Sequence, residues 1–135
     1  MATSPGPTTG PASASAVAVS GCTNPFDGRL FVVTHRTDEA PDPASGFTFV
    51  PGFDEALARA REAAGDRDVA IGGGADLIRQ ALDAGVVDEL SISTAPVVLG
   101  AGKRLFEGFG KDLDLEILDV HPSPFATHVT YAVRR

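Results

Sequence analysis

The feature that most constrains this chain is a run of three glycines, Gly72-Gly73-Gly74, set between two apolar segments. Before it, Asp68-Val69-Ala70-Ile71 is a short β-branched run that reads as a buried strand. After it, Ala75 to Ala84 reads as a helix, with Leu77, Ile78, Ala81 and Leu82 at helical spacing and Gly85 placed to end it. A strand that passes through glycines straight into a helix leaves the first helical N–H groups free and lets a ligand approach the backbone. Those groups, with the helix dipole behind them, suit an anion such as a pyrophosphate. The spacing is not the G-x-G-x-x-G of a dinucleotide fingerprint. The same glycines would equally serve a tight turn that needs positive φ.

The flanking sequence repeats the alternation. Arg29-Leu30-Phe31-Val32-Val33 and Phe47-Thr48-Phe49-Val50 read as strands, separated by a Pro-, Asp- and Gly-rich loop. Asp54 to Ala64 reads as a helix. Its acidic residues open it, Ala56, Leu57, Ala60 and Ala64 form one face, and Gly65 ends it. Asp88 to Ala95 is a further strand. Strand and helix alternating in this way predict parallel strands with right-handed crossovers. The end differs: Leu113 to Val120 and Thr127 to Val133, joined by His121-Pro122-Ser123-Pro124, predict an antiparallel hairpin. The expected fold is an α/β, mostly parallel mixed sheet with flanking helices and a C-terminal hairpin.

Met1 to Gly21 has no charged and no aromatic residue. Such a segment buries too little apolar surface to offset its ordering entropy, so residues 1–24 are expected to be a disordered Ala/Ser/Pro-rich tail and residues 25–135 one domain. The formal net charge of −7 argues against a nucleic-acid partner. The single cysteine, Cys22, excludes an intrachain disulfide, and no Cys/His set has zinc spacing, so no metal site is expected. No run approaches the roughly 18 apolar residues of a membrane span, and no basic n-region opens the chain. The expectation is a soluble cytoplasmic protein with a small-molecule substrate.

Thr34-His35-Arg36 follows the first of the domain's strands. Ligands of parallel sheets bind beyond the carboxyl ends of strands. There, Arg36 could fork onto an adenosine 2′-phosphate and Thr34 could donate its hydroxyl, favouring NADP over NAD. In isolation the three residues are also compatible with a solvated loop. Gly102-Lys103 does not make a P-loop, because Val97 stands where its first glycine belongs and Arg104 follows the lysine. His121 and His128 read as structural or solvent-facing. No catalytic constellation can be assembled, and the catalytic residues are unknown at this point.

The order and spacing of several segments are similar to a known family. Val69 to Leu82 carries the glycine run, Ala84-Gly85-Val86-Val87-Asp88-Glu89-Leu90 follows, and then comes Pro96-Val97-Val98-Leu99-Gly100-Ala101-Gly102-Lys103-Arg104-Leu105-Phe106. With Pro25-Phe26 and Phe31 to Arg36, this series resembles the C-terminal reductase domain of the bacterial bifunctional deaminase-reductase of riboflavin synthesis, a relative of dihydrofolate reductase. The resemblance implies NADPH lying across the strand ends. By it, Gly72, Gly73, Gly74 and Ala75 match the pyrophosphate turn, Thr34, His35 and Arg36 match the 2′-phosphate loop, and Leu77 borders the nicotinamide-diphosphate groove. The reaction implied is hydride transfer to a heterocyclic or ribosylamino-pyrimidine substrate. The other reading is a truncated, non-catalytic dinucleotide-binding module.

The family pattern begins with a central strand and a substrate-binding helix, for which the Ala/Ser/Pro-rich segment stands here. That central strand lies between those matching Val69–Ile71 and Ser91–Thr94. Ala14 to Ser20, with Val17 and Val19 at alternate positions, is one candidate to replace it. A partner chain is the other, and a homodimer is compatible with both the homologous architecture and a broken sheet.

Overall fold

A computed structural model of the chain describes residues 2–4, 14–17, 29–35 and 43–134. The strands are β1 (Ala2–Ser4), β2 (Ala14–Val17), β3 (Leu30–Val33), β4 (Phe47–Val50), β5 (Val69–Gly73), β6 (Glu89–Thr94), β7 (Asp114–Pro122) and β8 (Thr127–Arg134). The helices are α1 (Phe53–Ala64) and α2 (Ala75–Asp83). All eight strands form one sheet in the order β4-β3-β2-β5-β1-β6-β8-β7. β3 pairs parallel with β4 and β2, and β2 pairs parallel with β5. β1 runs antiparallel to both β5 and β6, so those two strands point the same way. The expected mixed sheet with a terminal hairpin is the fold observed.

The position between β5 and β6 is filled by Ala2–Ser4, while Ala14–Val17 inserts one place further out, between β3 and β5. Both lie in the segment expected to be disordered. Neither brings a large side chain; what each adds is a backbone ladder, which small residues form as well as large ones. The remainder of residues 1–28, including Cys22, lies outside the described residues, as does Arg36.

α1 buries Phe53, Ala56, Leu57, Ala60 and Ala64, the expected face extended by one residue at its start. Asp54 and Glu55 stand in its first turn, and Gly65, at φ +60°, closes it with an N–H bond to the Arg61 carbonyl. Arg67 completes that end: Nε donates to the Ala64 carbonyl at 3.1 Å and Nη2 to that of Ala63 at 3.2 Å. α2 buries the predicted Leu77, Ile78, Ala81 and Leu82. Both helices share one core with Phe31, Val50, Val69, Ile71 and Leu90, so both pack on the same sheet face, as two right-handed crossovers moving in one direction require. Leu30 and Val32 are buried on the other face.

The hairpin turn lies two residues later than expected. His121 and Pro122 still belong to β7, and the turn is Ser123 to Ala126, closed by a 2.8 Å Ser123 N–H bond to the Ala126 carbonyl. Pro122 can remain in the strand because β7 is the sheet edge, where a missing N–H breaks no ladder. Leu118 is a bulge: Ile117 pairs with Tyr131 and Asp119 with Thr130. The extra residue shifts the alternation by one place. Leu115 and Ile117 before it and Val120 after it then share a face.

Candidate functional site

The glycine run sits at the carboxyl end of β5, where Gly73 pairs with Val17. Gly73 has φ +126°, a backbone conformation that side-chain-bearing residues rarely adopt, and its bond to Gly74 is cis. Gly74 is the N-cap of α2 and caps with no side chain. Its carbonyl accepts from Leu77 and Ile78 at 3.0 and 3.1 Å, so the helix does not use the N–H groups of Ala75 and Asp76. Among the described residues a Cβ built at Gly73 or Gly74 would meet nothing within 4 Å; Gly72 and Gly74 are exposed and Gly73 is buried. Exposed bare backbone at Gly74, the start of a nine-residue helix, could hold an anion such as a diphosphate.

Thr34 and His35 leave the carboxyl end of β3 on the same edge. The Thr34 N–H donates to the Val50 carbonyl at 3.0 Å, and His35 is exposed. The fold therefore brings Thr34, His35 and Gly72 to Ala75 to one sheet edge. Leu77 is buried in the core beneath the turn.

Arg79 was not singled out from sequence, and Lys103 only as a lysine that makes no P-loop, yet both shape this end of α2. The Arg79 side chain is only 18% exposed and holds three partners: the Asp76 carboxylate, the Glu107 carboxylate at 3.0 Å and the Arg104 carbonyl at 3.1 Å. Lys103 Nζ stands 3.5 Å from the other Asp76 oxygen. The Arg79 hydrogen bond, then the charge of Lys103, hold the Asp76 carboxyl below its ordinary range. Asp76 would otherwise oppose an anion at the helix start; these two cations offset its charge. The three-residue spacing of Asp76 and Arg79 was a visible signal. The contacts reaching 25 and 28 residues along the chain were not.

His121 and His128 are both exposed. They face each other across the hairpin, and Ser93 Oγ lies 2.7 Å from His128 Nδ1. Among the described residues no group of three His, Cys, Asp or Glu side chains could hold a metal ion. No helix among them is long and apolar enough to cross a membrane.

The model of the RibD C-terminal domain matches residues 26–128, which is most of the chain. This chain belongs to the RibD C-terminal domain family. Comparison with curated protein sequences gives no match. Among solved structures, a putative riboflavin biosynthesis protein from Shewanella sp. PV-4 is similar at a TM-score of 0.74 and 21% identity, over 92% of this chain and 75% of that one. Acinetobacter baumannii RibD gives 0.63 and 17%, over 92% of this chain and 47% of that one. The riboflavin biosynthesis reductase Rib7 of Saccharomyces cerevisiae gives 0.55 and 16%, over 80% and 57%. These likenesses show the fold. Beside the last two, this RibD C-terminal domain chain spans about half the length of the protein it matches.

Proposed function

We propose that this RibD-type domain is an NADPH-dependent reductase acting on a small heterocyclic or ribosylamino-pyrimidine substrate in the cytoplasm. The observation that carries the reading is the bare glycine turn at the start of α2, with Gly72 and Gly74 exposed and Gly73 buried, level with the Thr34 exit from β3. Two sources support the substrate class. One is family membership. The other is a structural relative from Thermotoga maritima described as a deaminase and 5-amino-6-(5-phosphoribosylamino)uracil reductase. In this reading Gly72, Gly73, Gly74 and Ala75 take the diphosphate on backbone N–H groups, and Thr34, His35 and Arg36 take the adenosine 2′-phosphate. The cofactor, when bound, supplies a hydride. The chain's own part is to bind and orient it: the glycine turn fixes the diphosphate, and the strand ends set the direction in which the remainder lies.

The domain acts as a homodimer in this reading, with the hairpin as the contact surface. Leu115, Ile117 and Val120 form an apolar face on an edge strand, with the half-exposed Leu118 at its bulge, and Ile117 is 62% exposed. Val98 and Leu99, after β6, are 96% and 80% exposed, and Phe125 stands uncovered at the hairpin tip. A stable interface buries roughly 800 Å² per partner around an apolar centre, and a second copy would supply a matching apolar face by symmetry.

The deciding experiment is calorimetric titration of the purified chain with NADPH and with NADH, beside an Arg36→Ala variant. NADPH should bind in preference, and the variant should lose the preference. A folded chain that binds neither nucleotide would overturn the reading and leave a non-catalytic member of the family.

A further inference from the structure

A groove of about 780 Å³ opens at the other edge of the sheet, between the second half of α1 and the amino ends of β3 and β4. Phe31 and Thr48, paired in register, form its floor. Arg29, Arg59 and Arg67 stand around it, with Glu62 beside them. The chain has 11 Lys and Arg against 18 Asp and Glu. Three of those eleven cations converge on one groove, against the sign of the molecule as a whole.

The three guanidinium groups are not equivalent. Arg59 is paired with Glu55 at 2.6 Å. Arg67 gives Nε and Nη2 to the carbonyls that end α1, which fixes the plane of its guanidinium and leaves Nη1. Arg29 makes no ion pair among the described residues and stands immediately before β3. A fixed guanidinium and one without an ion pair among the described residues, around a phenylalanine floor, suit an oxyanion such as a carboxylate or phosphate. The volume is that of a small-molecule site. Arg29 and Thr34 are separated by the whole of β3, roughly 16 Å at strand rise, so this groove is distinct from the glycine-turn site.

We propose that this groove binds a small aromatic anion, its carboxylate or phosphate between Arg29 and Arg67 and its ring over Phe31 and Thr48. Glu62 sets the limit on charge: it repels a second anionic group and accepts a hydrogen bond from a donor on the ring. The site is independent of the reductase reading and would act as an effector or second-substrate site on the far side of the sheet.

The test is amide NMR of the full chain titrated with phenyl phosphate, benzoate, inorganic phosphate and, as a neutral control, benzyl alcohol. Phenyl phosphate or benzoate should move the Thr48 and Ala63 amides saturably in the low millimolar range or below, and benzyl alcohol should not. Arg29→Gln should weaken that binding about tenfold or more, the cost of losing a charge-assisted contact. Arg29 lies outside the helix caps and is exposed, so the variant retains the fold, and Arg29→Lys should recover part of the affinity. NADPH should leave Thr48 and Ala63 unmoved. Four results would each overturn the proposal: no saturable shift with either aromatic anion, equal shifts with benzyl alcohol, inorganic phosphate binding as tightly as phenyl phosphate, or an affinity unchanged in Arg29→Gln.

Discussion

Phe31 of β3 and Ile71 of β5 lie level with each other across the sheet, each registered against Ala16 of β2. All three strands are parallel, so the chain leaves β3 and β5 at the same height, Thr34 three residues beyond Phe31 and Gly74 three beyond Ile71. With strands about 4.8 Å apart, the two exits stand roughly 10 Å from each other, within reach of one dinucleotide. NADPH should therefore move the amides of Thr34 and of Gly72–Gly74 together, with one saturation curve. Adenosine 2′-phosphate alone should move Thr34 and leave the glycines. Two separate curves for NADPH would break the single-site reading.

Gly73 makes a second prediction, about stability. Its φ of +126° disfavours any side chain, whatever the space around it. Gly73→Ala should destabilise the fold by about 1–3 kcal/mol in urea denaturation, through the backbone alone. A neutral result would mean that the turn relaxes without cost.

The core and the hairpin should respond oppositely to truncation. Leu90 is fully buried under the helices, and Leu90→Ala should cost about 2–5 kcal/mol in the same measurement. Ile117 is exposed in the single chain, so Ile117→Lys should leave the stability of the monomer little changed. In sedimentation velocity it should convert the proposed dimer to monomer. A wild-type chain that sediments as a monomer at high concentration would remove the hairpin face as a self-association surface.

Asp76 and Arg79 predict a pH dependence. The Arg79 hydrogen bond and the charge of Lys103 lower the Asp76 pKa in the folded chain. A lowered carboxyl contributes stability that is present above its unfolded value, about 3.9, and is lost as pH falls through the folded value. The link from α2 to the 103–107 segment should thus persist to below pH ~3.9 and then loosen. Carboxyl-carbon NMR should place the Asp76 titration below that of an ordinary aspartate, and Arg79→Met should raise it. An unchanged Asp76 titration in that variant would show that Arg79 is not the cause.

Much of the fold was legible because local chemistry and tertiary structure agree. The buried faces of α1 and α2 follow from the spacing of Ala56, Leu57, Ala60 and of Leu77, Ile78, Ala81. Gly65 ends its helix as expected because its positive φ admits only such a residue readily. Two things were not legible. Ala2–Ser4 carries no hydrophobic pattern to mark it, and the alternation in Ala14 to Ser20 marked a strand but not its place between β3 and β5, since both segments join the sheet through backbone groups that every residue has. The groove of Arg29, Arg59 and Arg67 draws on residues separated by a strand, a loop and a helix, and only the crossover brings them together. That Thr34 and Gly72–Gly74 leave the sheet at the same edge follows from the parallel alternation of strands and helices, and the burial of Leu77 from helix phase.

The bulge at Leu118 makes β7 nine residues long against eight in β8. It acts as a frame correction. Without it, the strand could present one apolar face up to Ile117 or from Leu118 onward, and the rest would point its leucine and valine away. Length changes in this strand are therefore not interchangeable. Removing Leu118 would leave a regular strand with Val120 still on the face of Ile117, whereas removing Leu118 and Asp119 together would turn Val120 onto the polar side. The hairpin's apolar surface is thus written in the count of residues as much as in their kind.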